Sequence, residues 1–279
     1  MTGPAPDLTS SARALLFVPG NRPERFAKAA AAGADVVVVD LEDAVPAGEK
    51  ESAREAVAAW LGDGALPHGM GAAVRVNAVG TPWHEADVAA VAGHAAAVVL
   101  PKAEPGEALE SLAARTPVVA LVETATGILD AREVAGVPGV VRLAIGTFDL
   151  AVELGVDPLD REALLAARSA VVLASAVAGL PGPVDGVRAA IDDDAGLHEE
   201  ATAARRLGYA GKLCIHPRQV PTVLGVFRPT DEEAAWARSV LAAVDPGTGV
   251  ARVDGAMVDK PVLDRARRIL EQLGQKENA

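Results

Sequence analysis

The sequence predicts an α/β chain of the (β/α)8 TIM-barrel class followed by a C-terminal helical extension, and three observations carry that reading. Eight short aliphatic runs recur with Ala-rich amphipathic stretches between them, as parallel strands alternate with covering helices. A length of 279 residues fits a barrel of about 250 residues with an appendage. With 50% hydrophobic residues but only 3% aromatics, the core must be filled by Ala, Val and Leu, the usual filling of helix-covered parallel strands.

The eight runs are ALLFV (14–18), DVVVVD (35–40), AAVRVN (72–77), AAVVL (96–100), PVVALV (117–122), VVRLAI (140–145), a weak GPVDG (182–186) and GKLCI (211–215). Pro23 followed by Glu24 opens a helix predicted over 24–32, with Gly33 placed as its C-terminal cap; a helix predicted over 199–207 ends in the same way at Gly208. Eight parallel units close into a barrel more naturally than into a doubly wound open sheet, and no glycine fingerprint of a dinucleotide fold follows the first strand. Beyond strand eight, 230–246 and 260–274 read as two further helices joined by a Gly-rich segment. The expected division is a barrel domain, 1–229, and a helical extension, 230–279, of the kind that often covers a neighbouring subunit's active site.

Composition excludes several functions. A net charge of −12, with no clustered Lys and Arg among stacking rings, argues against a nucleic-acid surface. The single cysteine, Cys214, cannot form an internal disulfide, and the start MTGPAPDLTSSAR lacks the basic-then-apolar order of a secretory signal. The longest apolar stretches, such as 169–182, are interrupted and fall short of the roughly 20 residues that span a bilayer. A cytoplasmic protein without a membrane segment is expected.

In barrels of this class the chemistry sits at the carboxyl ends of the strands. There strand two ends in Asp40-Leu41-Glu42-Asp43, strand three holds Arg75 and ends at Asn77, strand four runs into Lys102, strand five into Glu123-Thr124, and strand six leads to Asp149. Hard carboxylate oxygens suit Mg2+, and Glu123 with Asp149 are the best-placed pair; the alternative is that each caps the following helix. Glu42 and Asp43 read as holders of metal-bound water, against solvated loop acids; alternation puts Asp40 and Glu42 on one face and Asp43 on the other. A guanidinium inside the apolar strand AAVRVN needs a partner, so Arg75 either clamps a substrate carboxylate or pairs with a neighbouring strand's acid. Lys102 can pair with Glu42 or Glu104. Cys214 and His216 lack any metal-ligand spacing and read as a buried thiol and a helix-start histidine, while His68, His84, His94 and His198 read as surface residues.

These residues lie in segments that resemble the HpcH/HpaI aldolase and citrate lyase β-subunit family, and its stand-alone CitE-like branch in particular. The matching segments are LFVPGNRPERFAKA, VVVVDLEDAV, VRVNA, LPKAE, LVETATGIL, IGTFDLAVELG, CIHPRQV and DGAMVDKPVLDRA, in family order and over almost the whole chain. The resemblance implies Mg2+ held by Glu123 and Asp149, Arg75 on the acid end of the substrate, and Glu42, Asp43 and Lys102 ordering the metal's waters. It implies an acid–base aspartate, Asp259, from a C-terminal lid folded over the adjacent subunit, in a homo-oligomer that is a trimer or a multiple of it. Arg22 and Arg25, in the loop after strand one, are candidates for CoA phosphates and read just as easily as solvated surface residues. Without that segment's context Asp259 reads as a solvated residue between two helices.

The implied activity is Mg2+-dependent cleavage or formation of a carbon–carbon bond in a 3-hydroxyacyl-CoA such as citramalyl-CoA or malyl-CoA, giving pyruvate or glyoxylate and an acyl-CoA. Mg2+ would act as Lewis acid and template, while an acid or base moves the hydroxyl proton. Two alternatives are a citrate lyase β-subunit working with an acyl-carrier protein and a barrel that binds CoA thioesters without turnover. The full VDKPV tail favours a free thioester as substrate.

Overall fold

The structure, a computed structural model, describes residues 12–62, 71–243, 251–253 and 256–277. The elements of the barrel run β1 (Ala14–Pro19), α1 (Phe26–Ala30), β2 (Val36–Asp40), α2 (Lys50–Gly62), β3 (Gly71–Arg75), α3 (His84–Val91), β4 (Ala97–Leu100) and α4 (Glu107–Ala113). They continue with β5 (Val118–Val122), α5 (Ala125–Leu129), α6 (Ala131–Gly136), β6 (Val140–Ile145), α7 (Thr147–Leu154), α8 (Leu165–Val177), β7 (Val184–Asp185), α9 (Asp194–Leu207), β8 (Gly211–Cys214) and α10 (Gln219–Phe227). After these come α11 (Asp231–Ala242), β9 (Ala251–Val253), β10 (Ala256–Val258) and α12 (Lys260–Glu277). The chain divides into two compact units, one to Leu224 and one from Gly225.

In the first unit β1 to β8 form a closed parallel barrel in sequence order, with β1 pairing both β2 and β8. Alternation along each stave sends Leu15, Val36, Val38, Val99, Leu121, Val184 and Leu213 into one interior cluster, with Ala73, Ala97 and Ala144 fitted between them. Intervening residues such as Val37 and Val39 are also buried, beneath the helices. Arg142 on β6 is 1% exposed and donates to the carbonyls of Gly182 (3.0 Å) and Ala12 (2.6 Å), residues that lead into β7 and β1. Burial lowers its pKa to about 10.

The weak seventh run is a strand of two residues, making one register pair with β6 and two with β8. On its helix-facing side Asp185 is paired with Lys212 of β8 and Arg168 of α8, each at 2.8 Å, while Val184 packs into the barrel interior. The helix expected over 24–32 is a 3-10 turn over Pro23–Arg25 followed by the short α1, and the helix expected from 199 begins earlier, where Asp193 caps it by accepting from the Gly196 amide. Gly208 closes that helix at φ 112, a left-handed conformation that costs a residue with a Cβ.

In the second unit α11 opens with a capping box, Thr230 and Glu233 bonding each other's backbone amides at 3.1 and 2.8 Å. Its core joins Ala237 and Val240 to Val258, Leu263, Ala266 and Ile269. The segment read as a Gly-rich joint contains an antiparallel pair, β9 with β10. Residues 244–246, expected at the end of the first extra helix, lie outside the described residues. No helix among the described residues is long and apolar enough to cross a membrane.

Candidate active site

Asp40 and Arg75 are register partners at the ends of β2 and β3. Arg75 donates from Nε to Asp40 Oδ1 (2.8 Å) and from Nη2 to Asp40 Oδ2 (2.7 Å), a bidentate pair in which a permanently charged group can be largely buried. Pairing with the neighbouring strand's acid is therefore present, and it occupies one edge of the guanidinium. On the other edge Nη1 lies 2.9 Å from Glu42 Oε2 and 3.5 Å from Asp43 Oδ2. Burial opposes the charge on Arg75, but hydrogen bonding and the field of Asp40, with Glu42 and Asp43, outweigh it and raise the pKa. Glu42 is buried, while the side chain of Asp43 is 64% exposed.

Lys102 follows β4 and is the one non-glycine among the described residues with positive φ, 50°. Holding such a conformation costs on the order of 1 kcal/mol, and strain of this kind gathers at functional sites. The turn aims two donors at one set of acids: the backbone N–H donates to Glu123 Oε1 (3.0 Å), and Nζ lies 2.8 Å from Glu42, 3.2 Å from Asp149 and 3.8 Å from Glu123. Glu104, the other partner considered for Lys102, instead accepts from the Thr124 hydroxyl.

Capping does not account for Glu123. Thr124 takes that role for α5 by accepting from the Gly127 amide at 3.0 Å, which leaves the Glu123 carboxylate turned to the rim at 4% exposure. Glu123 Oε2 fits against the backbone of the β6–α7 junction, where a Cβ on Gly146 would lie 2.1 Å from it. Gly146 is thus a cradle for the carboxylate, and α7 starts beside it with Asp149 in its first turn. Burial, reinforced by the fields of Glu42 and Asp149, pushes the Glu123 pKa up to about 7.

Five carboxylates (Asp40, Glu42, Asp43, Glu123 and Asp149) thus meet two cationic side chains, Arg75 and Lys102. The carboxylates outnumber the cationic side chains, a balance that suits a further cation. Among the described residues no three His, Cys, Asp or Glu side chains form a ready metal cage. A cavity of about 570 Å³ lies instead on the helix-facing side of β7 and β8, with Asp185 and Lys212 in its lining. The charged rim, not cavity volume, defines this site.

Other candidates fall elsewhere. Asn77 does not face the rim: it is 2% exposed, donates to the Leu41 carbonyl (2.9 Å) and binds Asp87 of α3. His84 is not a surface residue, because α3 turns it inward to 6% exposure with Nδ1 2.8 Å from the Asn77 carbonyl. His94 and His198 are exposed, and His68 lies outside the described residues. Cys214 is fully buried, with its thiol pushed up to about 12 by burial, and His216 accepts from the Arg218 amide in the turn before α10. Arg22 is exposed in the loop after β1, and Arg25 lies 3.9 Å from Glu24. In the second unit Asp259 is exposed and accepts from the Val262 amide (3.3 Å) at the start of α12.

One residue of consequence escaped the sequence reading. Lys50 shares the buried stripe of α2 with Ala53, Val57 and Leu61, and its ammonium reaches the backbone of Leu41 and Glu42. A lysine on an apolar helical stripe is the signal that points to it.

Fold and rim together define a (β/α)8 barrel whose C-terminal face carries an acid–base cluster suited to a divalent cation and a carboxylate ligand. The sequence profile of the HpcH/HpaI aldolase/citrate lyase family matches residues 13–217, and the chain belongs to that family. It is 42% identical over 276 residues to a citrate lyase subunit beta-like protein of Mycobacterium tuberculosis, covering 96% of this chain and 98% of the relative. A (3S)-malyl-CoA thioesterase of Cereibacter sphaeroides is 38% identical, with 92% and 93% covered. The structure is similar, at TM-score 0.82 and 41% identity over 95% of this chain and 98% of the other, to M. tuberculosis CitE crystallised with magnesium, acetoacetate and coenzyme A.

Proposed function

We propose that this chain is a Mg2+-dependent carbon–carbon lyase that cleaves or forms a 3-hydroxyacyl-CoA, giving a 2-keto acid such as pyruvate or glyoxylate and an acyl-CoA. The observation that carries this reading is that Glu123 and Asp149 reach the same Lys102 ammonium, so one cation already sits between them, with Arg75 beside it. The two carboxylates would hold the ion, which would supply Lewis-acid polarisation and a template for the keto-acid oxygens. Arg75, braced by Asp40 through Nε and Nη2 and by Glu42 through Nη1, would keep its remaining N–H groups for the substrate carboxylate. Glu42 and Lys102 hold the surrounding hydrogen bonds in place.

In cleavage the hydroxyl proton passes to a base, the O–H electrons form the keto-acid carbonyl, and the C2–C3 pair moves to the thioester α-carbon, which then takes up a proton. Asp259 is the base in this reading, brought by the extension of an adjacent copy. Acyl-CoA and 2-keto acid release from citramalyl-CoA and malyl-CoA, with Mg2+ and with chelator, tests the proposal; no keto acid from any member of a 3-hydroxyacyl-CoA panel would refute it. A second reading, hydrolysis of malyl-CoA, is favoured by the relatives named as thioesterases. The same assay separates the two, since hydrolysis gives malate and free CoA. Action as a citrate lyase β-subunit, the name of a Leuconostoc mesenteroides relative at 33% identity, predicts instead a stable complex with an acyl-carrier protein.

The Glu123 pKa sets a pH dependence. In the metal-free fold it lies near 7, above the ordinary 4.5, so the protonated acid's contribution to stability is complete below about 4.5 and is lost as pH rises through 7. Ionising it in the folded protein costs on the order of 3 kcal/mol more than in the unfolded chain. Mg2+ needs the ionised form, so its affinity is expected to fall about tenfold from pH 8 to pH 6, with about one proton released per ion at pH 6. Calorimetry in buffers of different ionisation enthalpy measures both; an affinity constant across that range contradicts the assignment.

Gly146→Ala drives a methyl group into the Glu123 carboxylate. The variant is expected to keep its barrel by circular dichroism and to bind Mg2+ about 10- to 100-fold more weakly, the usual effect of disturbing what supports a ligand.

A further inference from the structure

Lys50 has a full set of partners and no carboxylate among its hydrogen bonds. Its three N–H groups go to Leu41 O (2.8 Å), Glu42 O (2.7 Å) and Asn77 Oδ1 (2.6 Å), and its ammonium lies 5.2 Å from the centre of the Trp83 ring. The residue is 6% exposed. Burying an ammonium is costly, and packing alone would be served as well by Met or Leu. The charge therefore answers a need of its surroundings. Successive carbonyls in a strand point to opposite sides, yet those of Leu41 and Glu42 converge on one ammonium immediately after β2 ends at Asp40.

From these contacts we infer that Lys50 is a positioning residue for the rim: by gathering the Leu41 and Glu42 carbonyls from behind, it turns the Glu42 side chain forward onto Lys102 and Arg75. Asp40 Oδ1 completes the grip by accepting from the Glu42 amide at 2.9 Å. Glu42 then sits 2.8 Å from Lys102 Nζ and holds the ammonium shared with Glu123 and Asp149. The consequence for the cation rests on the function proposed above; the consequence for Glu42 geometry does not.

Two measurements test the inference. Lys50→Met is expected to fold and to bind Mg2+ about tenfold more weakly than wild type in calorimetry. If it acts through Glu42, the same substitution made in a Glu42→Gln background changes affinity less than about twofold, whereas a role in barrel stability alone would move melting temperature in both backgrounds and affinity in neither. Wild-type affinity in Lys50→Met, or the full loss repeated in the Glu42→Gln background, overturns the inference. A crystal structure of metal-free Lys50→Met decides it separately: the Glu42–Lys102 contact is expected to be lost, and its retention at wild-type length overturns the inference. Should wild-type protein take up no Mg2+, the functional reading fails and the crystal structure alone decides the role of Lys50. If Lys50→Met does not fold, Lys50→Gln, which keeps a donor to one carbonyl, carries the same measurements.

Discussion

Glu123→Gln is expected to abolish calorimetric Mg2+ binding at millimolar ion concentrations and to reduce turnover by about 10³-fold or more, since it removes a carboxylate from a site built around two. The same change is expected to stabilise the metal-free protein at pH 8, because the folded chain no longer carries an ionised, desolvated carboxylate whose pKa burial has pushed up to about 7. At pH 5 most of the gain should be gone, the wild-type acid in the folded chain being protonated there. Opposite signs for activity and stability distinguish a ligand from a structural acid. Loss of stability at pH 8, or retention of Mg2+ binding, would remove Glu123 from the proposed role.

Asp259→Asn is expected to lower turnover by about 10²- to 10⁴-fold, the range of a lost general acid or base, while leaving Mg2+ affinity unchanged. If the aspartate serves an adjacent copy, co-expressed Glu123→Gln and Asp259→Asn chains regain activity that neither has alone, approaching about a quarter of wild type when subunits assort at random. Absence of any recovery in mixed oligomers of verified composition contradicts service in trans. A small effect of Asp259→Asn on turnover would return the residue to the helix-start role its contact with the Val262 amide already gives it.

Much of the barrel was legible in the chain because its signals are local. Runs of Val, Ile and Leu bounded by polar turns read as staves, and Gly208 marks the end of its helix by the same short-range chemistry. The seventh stave was faint because Gly182 and Pro183 weaken it locally; what makes it a strand is pairing with β6 on one side and β8 on the other, both distant in sequence. The hairpin of β9 and β10 was hidden for a similar reason, since pairing of three-residue strands is fixed by the partner rather than by composition.

Residue types at the strand ends already marked the rim, and Glu123, Asp149, Arg75, Glu42 and Lys102 follow from an acid, amide or base where an aliphatic run stops. Their partners were not determined. Arg75 and Arg142 look alike in sequence, a guanidinium in an apolar strand, yet one meets Asp40 and Glu42 at the rim and the other meets the carbonyls of Ala12 and Gly182. Thr124, rather than Glu123, caps its helix; Asn77 and His84 turn inward; and Lys50 spends its charge on two backbone carbonyls.

The sequence by itself determined the periodic staves, their order and the chemistry available at their ends, because those depend on neighbours within a few positions. Closure of the barrel decided which charges face one another, because a carboxylate's pKa and a guanidinium's partner depend on groups that lie tens of residues away along the chain and a few ångströms away in space.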